Sequence, residues 1–246
     1  MSLTVKLALS PLLVAQAVLT RQRLPRLPEP TGARQGEVGA ADALPLRLLI
    51  VGDSSAVGVG VRTQRQALAP QLARKLATAC RARVSWRLLA RAGLTTAQTL
   101  HLLQREQSPA CDLAVVLTGV NDLVEQVPSQ RAVASRDALA NWLRNGQGVR
   151  HVVFAPLPPV HRFTGLPQPL RWVAGADAQR HNRALAQWAA TRGDVSCVKM
   201  HMPLKPGALA SDGVHPGEPV YRYSARVIAE HIATQVWPQL NPRHEP

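Results

Sequence analysis

Residues 46–55 read LRLLIVGDSS. The nearly continuous apolar run from Leu46 to Val51 is what a strand covered on both faces looks like. Gly52 then allows a sharp backbone turn, and Ser54 beyond it can point its hydroxyl out past the sheet edge. Read alone, a Gly-Asp-Ser turn is an ordinary cap, so its meaning depends on what the rest of the chain places beside it.

The pattern repeats outward from this stretch. Strand candidates follow at Val84 to Ala90, Leu113 to Leu117, His151 to Ala155 and Asp194 to Val198. Between them lie helical patterns: Leu68, Leu72 and Leu76 around Pro70; Leu100 and Leu103 after a Thr95-Thr96 cap; Val133, Leu139, Ala140 and Leu143 after Pro128; Leu185, Trp188 and Ala189. A last helix carries Tyr223, Val227, Ile228, His231 and Ile232. Strands alternating with helices imply parallel pairing through right-handed crossovers, hence a three-layer α/β/α sandwich around five parallel strands. The expected organisation is an apolar segment at 1–23, a Pro/Gly/Ala linker at 24–45, the folded domain at 46–238 and a tail at 239–246.

In such sheets the chemistry gathers at the carboxyl ends of the strands. Four loops are singled out there: Gly52 to Ser55, Arg91 to Leu94, Gly119 to Asp122, and the turn around Asp212 to His215. A carboxylate three residues before a histidine can bond its Nδ1–H and leave Nε2 free to take a proton. The amide of Gly93 and the side chain of Asn121 are hydrogen-bond donors suited to a negative oxygen. Each element has a plain reading as a turn residue. Together, at one rim of one sheet, nucleophile, acid–base pair and donors meet the demand of a serine hydrolase. Asp53 and Asp122 read as loop structure.

These blocks resemble the SGNH/GDSL hydrolase family of esterases and lipases over residues 46–237. Gly52-Asp53-Ser54, Gly93, Gly119-x-Asn121-Asp122 and Asp212-x-x-His215 stand in the family's order. The resemblance implies a flavodoxin-like five-stranded sheet, Ser54 as nucleophile, His215 as base oriented by Asp212, and an oxyanion hole from the Ser54 and Gly93 amides and the Asn121 side chain. Two positions depart from the family pattern: Ser55 stands where many members carry leucine, and Val220 where glycine is expected. Thioesterases and carbohydrate deacetylases share the same site, so the substrate stays open.

Other chemistries find less support. Gly58-Val-Gly60 lacks the third glycine of a dinucleotide fingerprint, Thr63 standing in its place, and no Walker lysine or G-x-S-x-G elbow occurs. Three cysteines (80, 111 and 197) do not make a disulfide framework. They sit among apolar neighbours, and the eight histidines show no paired metal-ligand spacing. No metal or cofactor is expected.

The chain has 246 residues and a formal charge of +14; residues 54–105 hold nine Lys and Arg and no acid. A basic nucleic-acid-binding protein with a vestigial site is the rival from another class. Trp86 is the one aromatic in that stretch, too few for a stacking platform, so no nucleic-acid partner is expected. Residues 156–173, PLPPVHRFTGLPQPLRWV, form a long connection beside the site. There Leu157, Phe163, Leu166, Leu170 and Trp172 either line an acyl groove or pack over the sheet. The apolar character leans toward lipid-like or simple acyl esters.

The run from 7 to 19 (LALSPLLVAQAVL) is preceded by Lys6 and followed by Arg21, Arg23 and Arg26. It falls short of the about 20 residues a spanning helix needs. Three readings stay open: a helix in the membrane interface with its arginines on anionic headgroups, a helix packed on the domain, and a cleaved signal. Membrane association is favoured over a cytoplasmic location, and secretion comes last.

Overall fold

The computed structural model describes residues 8–106, 110–202, 204–205 and 207–241. Lys6 and Leu7, at the start of the apolar run, lie outside them, as does most of the tail.

Helix α1 (Ser10–Arg23) is followed by β1 (Gln35–Val38) and β2 (Leu44–Gly52). A single turn α2 (Ser54–Val57) leads to α3 (Leu68–Ala79), β3 (Ala82–Ala90) and α4 (Thr96–Arg105). Then come β4 (Leu113–Leu117), the short α5 (Val120–Val124), α6 (Ser129–Gln147) and β5 (His151–Phe154). Helix α7 (Leu170–Ala189), β6 (Val195–Cys197) and α8 (Glu218–His231) complete the order. A π-helical turn over Ile232–Val236 and a short helix Trp237–Leu240 continue α8.

The strands form one sheet in the order β1-β3-β2-β4-β5-β6. Strands β2 to β6 pair in parallel, as the alternation of strand and helix requires. Leu46, Leu48 and Ile50 of β2 face Leu68, Leu72 and Leu76 of α3 and Ala225 and Ile228 of α8. Leu49 and Val51 face the other way, onto Leu103, Leu139, Leu143 and Leu185 of α4, α6 and α7. That alternation along a strand buried on both sides is the three-layer sandwich.

The sheet carries one strand more than expected, and the supposed linker supplies it. Gln35 to Val38 pairs antiparallel with β3, opposite Arg87 to Val84. It is short, mostly exposed and carries one charge, Glu37, as a protected edge can, which gives the segment no apolar periodicity to read. Trp86 of β3 lies against Gly36 and is buried. The inward face of α8 also differs. Tyr221, Ser224, Ala225 and Ile228 are buried, and Tyr223 stands at its margin with its hydroxyl on the His201 carbonyl.

Candidate active site

Strand β2 delivers Ser54 through a backbone crowded by its neighbour. A side chain at Gly52 would collide with the Leu117 carbonyl oxygen, and Gly52 has a φ of 151°. Only glycine permits that approach. The Asp53 amide donates to Leu117 O at 3.0 Å, locking the turn to the end of β4. The Asp53 carboxylate then caps α2 by accepting from the Ser55 amide at 3.0 Å. Its second oxygen is buried with no partner among the described residues. Burial foremost, with Asp122 adding to it, raises the Asp53 carboxyl to about 7 against the opposing pull of the Ser55 amide and His215.

The turn before α8 is closed by its own carboxylate. Asp212 Oδ1 accepts the amides of Val214 and His215, each at 2.9 Å, and Oδ2 accepts from His215 Nδ1 at 2.5 Å. Burial would raise the Asp212 carboxyl, but the His215 ring and the two amides outweigh it and hold it below the usual range. His215 Nε2 lies 3.1 Å from Ser54 Oγ. A serine, a histidine and a carboxylate brought from opposite ends of the domain thus form one hydrogen-bonded chain. Such a chain can move a proton off the hydroxyl while the carboxylate stabilises the imidazolium.

The donor loops converge on the same rim. Asn121 Nδ2 donates to the Leu94 carbonyl at 3.0 Å, which uses one of its two hydrogens. Gly93 is exposed, has a φ of 84°, and faces open space where a side chain would stand. Asp122 ties the two loops together by accepting from the Thr96 amide at 2.9 Å and the Thr96 hydroxyl at 2.6 Å. Beneath them Arg136 of α6 is buried, its Nη2 3.7 Å from Asp122 Oδ2, with its three guanidinium nitrogens lacking hydrogen-bond partners among the described residues. Sequence reasoning passed over Arg136, although it falls on the inward pattern Ala132, Arg136, Leu139, Ala140, Leu143, where an arginine is out of place.

The five apolar residues of the 156–173 connection do not form one groove. Leu157 and Phe163 are buried with Leu123, Val160 and Ala178 in a small cluster of their own. Leu166 packs against that cluster and also borders α1, Leu170 begins α7 with its amide on Gln16 Oε1 at 3.1 Å, and Trp172 is 49% exposed. Of the five, Leu157 alone borders the apolar cavity of about 50 Å³ beside Ser55, Val120 and Pro216, each the sequence neighbour of a site residue. Cys80 and Cys197 are held near 11 by burial, as unreactive thiols. No group of three or more metal-ligating side chains is assembled among the described residues.

The sequence from residue 50 to 223 matches the GDSL-like lipase/acylhydrolase family. The chain belongs to this family. As a GDSL-like hydrolase it is an ester hydrolase, and small-molecule esters are its substrates. Its fold is similar to that of the lipase Lip_vut3 from a goat rumen metagenome, at 20% identity and a TM-score of 0.63 over 77% of this chain and 97% of that one. It is also similar to the psychrotrophic esterase EstA from Pseudoalteromonas sp. (15% identity, TM-score 0.54, 78% and 98% covered). A variant of Axe2, an acetyl xylan esterase from Geobacillus stearothermophilus, shares the fold at 17% identity and a TM-score of 0.56, with 79% and 96% covered. No curated protein sequence matches the GDSL-like hydrolase.

Proposed function

We propose that this hydrolase cleaves carboxylic esters through a covalent acyl-enzyme, with Ser54 as nucleophile. The observation that carries the reading is the chain from Asp212 through His215 to Ser54, with contacts of 2.5 and 3.1 Å. His215 Nε2 takes the Ser54 proton as Oγ bonds to the acyl carbon and the carbonyl electrons move onto oxygen. The Ser54 and Gly93 amides and the second Asn121 hydrogen stabilise that oxyanion. As the intermediate collapses, the ester C–O bond breaks and His215 gives its proton to the departing alkoxide. Water then repeats the sequence on the acyl-serine and releases the acid.

The substrate we assign is an ester with an apolar acyl group. The apolar character of the connection over residues 156–173 supports this choice; the apolar cavity bordered by Ser55, Val120 and Pro216 is not lined by Ser54, Gly93, Asn121 or His215. A second reading within the same chemistry, removal of an acetyl or similarly short acyl group as a deacetylase performs, is supported by the fold shared with an acetyl xylan esterase. Hydrolysis of p-nitrophenyl esters from acetate to palmitate, by wild type and Ser54→Ala together, tests both. Ser54→Ala is expected to lose about 10⁴- to 10⁶-fold in turnover. Undiminished turnover in the purified variant removes the mechanism. A sharp acetate optimum selects the second reading.

A further inference from the structure

Helix α1 carries apolar residues on both of its sides, more than its contact with the domain covers. Leu13 is buried, and Leu9, Gln16, Thr20 and Leu24 lie on the same inward side, at helical spacing. The opposite side presents Pro11, Val14, Ala15 and Val18, flanked by Leu12 and Leu19, all exposed. Val14 is 63% exposed and Val18 51%, and four of the seven large apolar side chains exposed among the described residues lie on this one helix. Here the domain holds the helix through buried Leu13 and through Gln16. Gln16 donates to the Gln168 carbonyl at 2.7 Å and accepts from the Leu170 amide, leaving the apolar stripe outermost.

We propose that α1 docks this protein on an anionic lipid surface. Two further features point to that partner. Arg21, Arg23 and Arg26 are all exposed at the end of the stripe, where phosphate headgroups would meet them. Trp172, two residues along from the Gln16 joint, offers an exposed indole, the ring that prefers the headgroup level. A second copy of the chain fits less well, since each copy carries +14 and the same arginines. The helix has 14 residues, and no helix among the described residues is long and apolar enough to cross a membrane, so it lies in the interface.

Docking there brings the catalytic turn close to the lipid. A side chain at Gly165 would collide with the Asp212 carbonyl oxygen and stand 3.2 Å from Leu24, just past the end of α1. The Gly165 amide donates to Gly213 O at 3.0 Å. One loop therefore separates the docking helix from the turn that carries Asp212 and His215.

The test is co-sedimentation of the full chain with phosphatidylcholine vesicles, with and without roughly 30% phosphatidylglycerol, at low and high salt. Binding to the anionic vesicles that weakens in salt is expected. Val14→Glu with Val18→Glu, and separately Arg21→Glu with Arg23→Glu, should each reduce it at least about tenfold. Both double variants should keep wild-type turnover of p-nitrophenyl acetate, because they alter exposed side chains alone. No binding by wild type, or undiminished binding by Val14→Glu with Val18→Glu, overturns the proposal. So does dimerisation of wild type in sedimentation velocity that this double variant abolishes, which would assign the face to a second copy. The soluble-ester assay bears on Ser54 alone, so the two readings fail separately.

Discussion

The Arg136 guanidinium lies 3.7 Å from the Asp122 carboxyl, and both groups are buried beneath the loop that carries Asn121. Burial pulls Arg136 below the usual guanidinium range, with Asp122 working against it. Asp122 in turn holds Thr96, so the pair underlies both loops that supply the candidate oxyanion donors.

Removing one partner of such a pair strands the other in a medium that solvates it poorly. Arg136→Met should therefore cost about 3–5 kcal/mol of stability in urea unfolding. Adding Asp122→Asn to Arg136→Met should recover part of that loss. If the two losses simply add, the groups are not coupled.

Asn121 donates one hydrogen to Leu94 and has one left for a developing oxyanion. An interaction made in the transition state lowers kcat without a matching rise in KM when it is lost. Asn121→Ala should reduce kcat by about 10²- to 10³-fold on p-nitrophenyl acetate, with KM little changed. A variant with normal kcat would remove Asn121 from the chemistry.

Burial pushes the Asp53 carboxyl up to about 7, well above the usual carboxylate range. Its contribution to stability is full below about pH 4 and is lost as pH rises through 7, because the unfolded chain ionises first. Asp53→Asn keeps an acceptor for the Ser55 amide and cannot ionise. The variant should gain on wild type across that window by on the order of 4 kcal/mol. Parallel pH profiles of unfolding for the two proteins would show that Asp53 does not titrate there.

His151 acts in the opposite sense. It faces Ser196 at 3.0 Å, with His231 on the same hydroxyl at 2.8 Å. Burial first, and His231 second, depress His151 to about 4. Its stabilising contribution is present above about pH 6.5 and lost as pH falls through 4, since the unfolded imidazole takes its proton earlier. The thermal midpoint of wild type should fall more steeply than that of His151→Gln between pH 7 and 4.5.

Strand β2 and its turn were legible because each rests on local rules. Leu46 to Val51 is apolar along its length because both faces are covered, and Gly52 is required where Leu117 O closes in. Strand β1 was not legible. Its hydrogen bonds go to β3, almost fifty residues downstream, and an exposed edge imposes no apolar pattern. The same limit applied to the 156–173 connection. Hydrophobicity marked Leu157, Phe163 and Trp172 alike, yet two are buried and one is exposed.

What residue order alone settled was the alternation of strand and helix, the parallel sheet that follows from it, and the four loops that meet at one rim. Those are consequences of periodicity, turn chemistry and the handedness of crossovers, all of which act over short stretches of chain. Which atoms meet was decided by tertiary packing. Ser54 and His215 are 161 residues apart and come within 3.1 Å, Arg136 lies beneath Asp122, and α1 turns its apolar stripe outward. Such contacts depend on where whole elements come to rest, and no local pattern in the chain encodes that.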